Sequence, residues 1–379
     1  MNWKKVLLVT LALVLVVGLV ACGGKKEAVD DGAAEAPVAE GAALKIAIVT
    51  SPSGVDDGSF NQNCYEGIKA FIANNPNSTV TPIQEADMAN SVQAVEAIVA
   101  DYDVIVTPGF QFAGISTVAM ANPEKAFILV DSNPADPADP NNFAFSVDNI
   151  YAMTFAEQES GFFAGIAAAM ETKTGKVAFI GGQSIPPVTN YQLGFESGVN
   201  YANKNLGTKA EMVTTSYADP KFGGNYIDDF VDQARGKSVG EAVIAKKADV
   251  LFVAAGGAGL GAFTAAKEAK DVWIIGCDVD QFDLGADGDR NVVLTSGLKV
   301  MDINVERQLN AIADGTFKGG NYTLQADTDS TGFVSAPGRH QLSDATLAEL
   351  NKAFEAVKGG TIVPAATFSD FTPKDFPGL

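Results

Sequence analysis

The sequence predicts an α/β protein of two doubly wound, parallel-sheet lobes. Three features predict it. From Lys45 onward, short runs of β-branched and other apolar residues alternate with segments of helical periodicity. The runs are continuously apolar, as in strands covered on both faces of a parallel sheet. The alternation stops at a Pro/Asp/Asn loop, Pro134 to Asn142, and then restarts, so one chain carries two βα arrays of similar size.

The first array opens with a strand at Lys45 to Thr50 (KIAIVT) and a helix at Tyr65 to Asn74. Thr79 to Gln84 (TVTPIQ) is the next strand, and Pro82, which has no amide to donate, assigns it to a sheet edge. Ala89 to Ala100 has its apolar residues spaced for a helix face. Asp103 to Thr107 is a strand, Phe112 to Ala121 a helix and Ala126 to Asp131 a strand. The second array begins with a helix from Ala156 to Thr172, whose Gly161 and Gly165 imply close packing on a neighbour. Strands follow at Lys176 to Gly181, Glu211 to Ser216, Asp249 to Ala255, Val272 to Asp278 and Asn291 to Thr295. Helices are read at Asn190 to Asn203, Asp228 to Lys246, Gly261 to Lys270 and Val300 to Ala313, then a short strand near Gly332 to Val334 and a helix from Asp344 to Lys358.

The chain ahead of these arrays has a different character. Lys4 and Lys5 precede an apolar run, Val6 to Val20, that reads as an export signal and is short for a membrane span of about 20 residues. Cys22, directly after Leu19-Val20-Ala21, resembles a bacterial lipobox. That resemblance implies cleavage before Cys22, diacylglycerol on its thiol and a mature chain held at the outer face of the cell membrane. Gly23 to Ala43 has too little apolar surface to offset its ordering entropy, so residues 22–43 read as a tether. About 335 residues remain, more than one typical domain of about 100–200. Loss of residues 1–21 takes the formal charge from −20 to −22, which excludes nucleic acid as a ligand. The single histidine, His340, argues against His-based catalysis or a His-rich metal site. Cys64 and Cys277 make no disulfide framework and read as free buried thiols.

In doubly wound sheets, ligands collect outside the carboxyl ends of the strands. Polar residues stand at six such places: Asp56 to Gln62, Thr107 to Phe110, Asp131-Ser132, Gly256 to Gly259, Asp278 to Gln281, and Thr295 to Lys299. Each has two readings. Asp56, Asp57 and Ser59 either cap the following helix or face a ligand. Phe60 is a hydrophobic staple or an aromatic platform. Gly256 to Gly259 lacks the Gly-Lys-Ser/Thr ending of a P-loop and reads as close helix–strand packing. The acidic run from Asp278 to Asp289 does not have the spacing of a calcium loop, so no metal and no cofactor is assigned. Lys299 is a solvated surface lysine or, given its apolar neighbours, part of a site.

Asp57-Gly-Ser-Phe60-Asn61-Gln62 with Tyr65-Glu66-Gly67, Thr107-Pro-Gly-Phe110, Gly175-Lys-Val-Ala-Phe-Ile-Gly-Gly182, Ala255-Gly-Gly-Ala-Gly259, Gly276-Cys-Asp278-Val-Asp280-Gln281 and Thr295-Ser296 with Lys299 together resemble the basic membrane protein (Bmp) family, which includes PnrA-type nucleoside receptors of ABC importers. The resemblance runs from Leu44 to about Val363. It implies a type I periplasmic-binding-protein fold: two Rossmann-like lobes joined by a hinge, with the ligand in the cleft between them. The lobes would comprise 44–149 with 279–329, and 150–278 with 330–379. It also implies that a nucleoside base stacks on Phe60, that Asn61 contacts it and Asp131 bonds it, that Asp278 and Lys299 hold the ribose hydroxyls, and that Gly256 lets the backbone approach the sugar. For the second stacking aromatic, Phe252 is the first choice, ahead of Phe110 and Phe195. Ser51 departs from the family, whose purine receptors usually carry an aspartate there, and it accepts base N–H donors less strongly than a carboxylate would. The stretch Ser216 to Gly236 is longer than the family's usual turn.

The function expected is therefore a lipid-anchored, monomeric nucleoside-binding protein that serves an ABC permease. No Ser-His-Asp or Cys-His set is evident, which favours binding over catalysis. The alternatives are a sugar receptor on the same fold, a nucleoside-cleaving enzyme and an adhesin. The last finds no specific support in the sequence.

Overall fold

A computed structural model describes residues 42–213 and 225–365. The signal segment, Cys22, nearly all of the tether, part of Ser216 to Gly236 and the last residues of the chain lie outside that range. The first lobe is built from β1 (Lys45–Thr50), α1 (Phe60–Asn74), β2 (Thr79–Gln84), α2 (Ser91–Ile98), β3 (Val104–Pro108), α3 (Ser116–Ala121), β4 (Ala126–Val130) and β5 (Ile150–Phe155). The chain then crosses to the second lobe for α4 (Glu157–Glu171), β6 (Lys176–Gly181), α5 (Pro186–Asn205), β7 (Glu211–Met212), α6 (Gln233–Ala245), β8 (Val250–Ala254), α7 (Gly259–Glu268), β9 (Trp273–Asp278), the small hairpin β10 (Ala286–Asp287) and β11 (Arg290–Asn291), and β12 (Val293–Lys299). It returns for α8 (Met301–Ala313) and β13 (Gly320–Leu324), then crosses again for β14 (Thr331–Phe333) and α9 (Asp344–Lys358).

The two sheets have matching order. The first runs β13-β5-β4-β3-β1-β2 and the second β14-β12-β9-β8-β6-β7. All pairs are parallel except β12 with β14. The order reverses between β1 and β3 in one lobe and between β6 and β8 in the other, so each sheet has a switch point where a crevice opens. Pro82 lies in β2, an edge strand that pairs only with β1, as its missing amide requires.

The lobe boundaries differ from those expected. β5 belongs to the first sheet, where Phe127 pairs with Ile150 and Val130 with Met153, and β12 belongs to the second, where Ser296 pairs with Gly276. Residues 150–155 therefore move to the first lobe and 279–299 to the second. The chain crosses beside Ala156, Val300 and Gln325. These crossings are stitched together: Ala156 N donates to Leu324 O at 2.9 Å, Val300 N to Ser330 O at 2.9 Å and Ser160 Oγ to Leu298 O at 2.6 Å. The buried Glu159 carboxylate accepts from Ala326 N at 2.8 Å.

Glycine sets the helix packing near the site. A Cβ on Gly194 would stand 2.0 Å from Gln158 O, and one on Gly165 would stand 2.2 Å from Phe195 O, so α4 and α5 touch backbone to backbone. In the first lobe, Asn63 Oδ1 accepts from Met301 N and Asp302 N, both at 3.0 Å, which caps α8 from the side of α1. Cys64 and Cys277 are both free and buried, as expected.

Candidate functional site

The strand ends of the two lobes face a cleft of about 380 Å³. Ser51, Phe60, Asn61 and Asp131 of the first lobe line it, with Gly256, Asp278 and Lys299 opposite. All of these were singled out in the sequence. Asp57 also lines it, but its oxygens are spent on helix α1: they accept from the amides of Ser59 (3.0 Å), Asn61 (3.0 Å) and Gln62 (3.1 Å). The capping reading holds for Asp57, and the cap fixes Phe60 and Asn61 at the cleft wall. Burial raises the Asp57 carboxyl, against those amide bonds.

Asn61 Nδ2 donates to Ser51 Oγ at 3.1 Å, while its Oδ1 is buried with no protein partner. Asp131 follows β4 with φ +62, and Asp278 closes β9 with φ +67. Left-handed backbone is uncommon for a non-glycine residue and concentrates where surrounding structure holds it in place. Asp131 accepts an ion pair from Lys299 through Oδ2, and its Oδ1 is buried with no protein partner. Asp278 accepts from Ser59 Oγ at 2.9 Å and from Tyr191 OH at 3.0 Å.

Lys299 ends β12 at the crossing into α8 and is 2% exposed. Its ammonium bonds Asp131, lies 3.3 Å from Glu157 Oε1 and sits 5.2 Å from the centre of the Phe60 ring. Burial disfavours its charge, but the carboxylates outweigh burial and raise its pKa, so it is protonated. Asp131 takes the ammonium most closely, yet burial still raises its carboxyl. Glu157, the first residue of α4, is pushed up to about 7 by burial, partly offset by Lys299, with Asn190 Nδ2 donating to its Oε2 at 3.0 Å.

Phe252 is not in the cleft. It is fully buried mid-strand in β8, packed against Phe179 (5.6 Å between ring centres), Tyr191 (5.6 Å) and Phe195 (5.5 Å). Phe195 is equally buried, whereas Phe110 lines the cleft. The aromatic wall of the second lobe is Phe230. A Cβ on Gly182 would stand 2.2 Å from its ring, so that glycine makes room for it, and Gly256 lies in ordinary contact distance beside it. Sequence reading placed Phe230 inside a helix starting at Asp228. The helix starts at Gln233 because Asp232 caps it, accepting from Arg235 N at 2.9 Å, and that cap signal would have left Phe230 in the preceding loop. Glu157 and Tyr191 were also missed. Recognising β5 would have put Glu157 directly after a strand end.

Among the described residues, no cluster of three His, Cys, Asp or Glu is placed to hold a metal. The acidic run pairs with arginines: Asp280 and Asp283 with Arg339, and Asp287 with Arg290. No described helix is long and apolar enough to cross a membrane.

Comparison with known proteins is consistent with this geometry. The family model of PnrA-like substrate-binding proteins of ABC transporters (Bmp) matches residues 44–365. The nucleoside-binding protein BmpA of an ABC transporter from Lactococcus lactis is 32% identical over 296 residues, covering 73% of this chain and 77% of the relative. A CD4+ T-cell-stimulating antigen from Listeria monocytogenes is 31% identical over 341 residues, covering 84% and 87%. The crystal structure of an ABC-transporter solute-binding protein from Aeropyrum pernix superposes with a TM-score of 0.73 at 23% identity, covering 86% of this chain and 94% of that one.

Proposed function

Because the chain belongs to the Bmp family of PnrA-like ABC-transporter substrate-binding proteins, we propose that it captures a nucleoside in this cleft and delivers it to a permease in the same membrane. The observation that carries the reading is the pairing of two aromatic side chains, Phe60 and Phe230, with a buried Asp131–Lys299–Asp278 cluster in one cleft. A nucleoside offers a flat π-face and a vicinal diol. Stacking contributes about 1–3 kcal/mol per base, and charge-assisted bonds from the diol to Asp278 and Lys299 supply directional contacts. The nucleoside-binding role of the lactococcal relative supports the same ligand class.

In this reading the base lies between Phe60 and Phe230, with Phe110 at its rim. Asn61 Oδ1 and Asp131 Oδ1 accept its N–H groups, and Ser51 supplies a hydroxyl where a carboxylate would have selected donor-rich purine edges more strongly. Gly256 lets backbone approach the sugar. Family members work on the extracytoplasmic side, and lipid on Cys22 would keep the cleft within reach of its transporter.

Isothermal titration with adenosine, guanosine, inosine, uridine and cytidine tests the ligand class. At least one should bind below about 100 μM, since stacking plus diol contacts exceed that affinity. Failure of all five sinks the reading. Displacement by free ribose at a similar concentration would favour a sugar receptor, and release of free base would favour an enzyme. Cys22→Ser should release the protein from cells into the medium if the lipid anchor is right.

A further inference from the structure

Asp278 is held from both sides of the cleft. Tyr191, on α5 of the second lobe, donates to Oδ1 at 3.0 Å, and Ser59, at the head of α1 in the first lobe, donates to Oδ2 at 2.9 Å. Ser59 and Tyr191 are each 2% exposed, and Ser59 makes no side-chain cap to its own helix. Beside this bond, Gln281 Nε2 donates to Gly58 O at 3.0 Å. The Gln281 side chain is fixed on the second lobe by accepting from Cys277 N at 3.0 Å through Oε1, and the Gln281 backbone N–H donates to Ser296 Oγ at 3.2 Å. On the facing side, Asp57 ties down the amides of Ser59, Asn61 and Gln62. Gly58 has φ +67, and Leu284 Cδ1 lies 3.4 Å from where its Cβ would be, in ordinary contact. Two rigid segments thus meet through two hydrogen bonds that run between lobes.

We propose that Ser59 is a positioning residue that clasps Asp278 across the cleft, orienting its carboxylate for a ligand diol and adding an interlobe bond that exists only while the lobes are together. A carboxylate has about four lone-pair sites. Ser59 occupies one on Oδ2, while Tyr191 and the weakly donating Cys277 thiol, 3.5 Å away, both take Oδ1, so the open site is on Oδ2 and a second hydroxyl reaches Oδ1 by displacing the thiol. Opening the cleft separates Ser59 from Asp278 but leaves Tyr191 in place, because Tyr191 and Asp278 share a lobe. The clasp therefore acts on how long a ligand is retained, not on how often it arrives. The inference rests on the reading of Asp278 as a ligand residue.

Stopped-flow binding of the tightest of the five nucleosides tests it. Ser59→Ala should raise the dissociation rate about tenfold, the weight of one hydrogen bond to a charged group, with the association rate changed less than about twofold. Ser59→Thr, which keeps the hydroxyl, should restore most of the loss. In a double-mutant cycle, Ser59→Ala should cost little once Asp278→Asn is present. A slowed association with unchanged dissociation, or full additivity in the cycle, overturns the proposal. If wild-type protein binds none of the five nucleosides, the ligand reading fails on its own. The clasp is then decided by small-angle scattering of the protein without added ligand, in which the Ser59→Ala/Gln281→Ala double variant should have a larger radius of gyration than wild type, and an unchanged radius refutes it.

Discussion

Asp131 and Asp278 occupy equivalent places, each at the C-terminal end of the parallel strand beyond the switch-point pair of its own sheet, and each adopts a left-handed backbone. Asp tolerates that region because its short side chain can bond locally. Here both carboxylates line the cleft, and Asp131 and Glu157 pair with Lys299 while Asp278 acts on it through space. Glu157 bears the excess. In the unfolded chain its pKa is near 4.5, and in the folded protein it is about 7. Between those values the folded protein keeps a proton that the unfolded chain has lost. Stability therefore falls as pH rises through that window and is flat above it, by an amount on the order of 3 kcal/mol. Glu157→Gln should remove this slope, so denaturation at pH 5 and pH 7.5 should show the variant gaining on wild type at the higher pH. A gap that does not change with pH would mean Glu157 is ionised throughout. Of the two aromatics, Phe230→Ala should weaken nucleoside affinity at least tenfold, about 1.4 kcal/mol, with little loss of stability. Phe252→Ala should instead cost about 3–5 kcal/mol of stability as a core truncation, and melting curves with titrations separate the two outcomes. The residues legible in the sequence were those at strand ends with unusual chemistry, such as Phe60 and Lys299. Phe252 and Phe230 were confused because strand position fixes which side chain enters the core, and a single sequence does not reveal which loop folds over the cleft.

At the scale of elements, the site depends on how closely α4 and α5 approach, since α4 carries Glu157 and α5 carries Asn190 and Tyr191. Gly161 and Gly165 were legible as packing glycines, and they meet the backbone of α5 as that reading required. Strands β5 and β13 were not legible. Tyr151 and Thr154, and then Asn321, Tyr322 and Thr323, interrupt the apolar runs, because these strands form the far side of the first sheet and Tyr322 is partly exposed there. Missing β5 displaced the first lobe boundary, and the second moved because the strand read at Asn291 to Thr295 pairs with β9 rather than with the first sheet. The glycine contact makes a signed prediction. Replacing Gly194 by Ala favours the helix by about 1 kcal/mol through propensity. The new Cβ would also lie 2.0 Å from Gln158 O, and parting two packed helices costs about 1–3 kcal/mol or more. The clash should win, so Gly194→Ala should lower the melting temperature by at least about 2 °C and weaken ligand affinity with it. A raised melting temperature would show that the helix pair can separate without cost.

At the scale of the whole molecule, charge selects the ligand. The chain carries a formal −20, and the body from Lys45 onward holds nearly all of its acidic residues. Among the described residues lining the cleft, Lys299 is the one cation, and it faces Asp57, Asp131, Asp229 and Asp278 there. It is already bonded to Asp131 and close to Glu157, so it has little charge to spare for a phosphate. An uncharged nucleoside meets no long-range field, whereas its 5′-monophosphate must approach an acidic surface and place a dianion beside surplus carboxylates. The exposed part of that repulsion is screened as the Debye length shrinks from about 30 Å at 0.01 M salt to about 3 Å at 1 M, and the buried part is not. Nucleoside affinity should therefore stay constant from low to high salt. The monophosphate should bind at least about tenfold more weakly at 0.15 M, a gap of about 1.4 kcal/mol. Raising salt should narrow that gap without closing it. Titration of both ligands across the salt series checks this. A monophosphate that binds as well as its nucleoside at 0.15 M would mean that Lys299 leaves Asp131 to meet the phosphate, and the charge argument would fail with it.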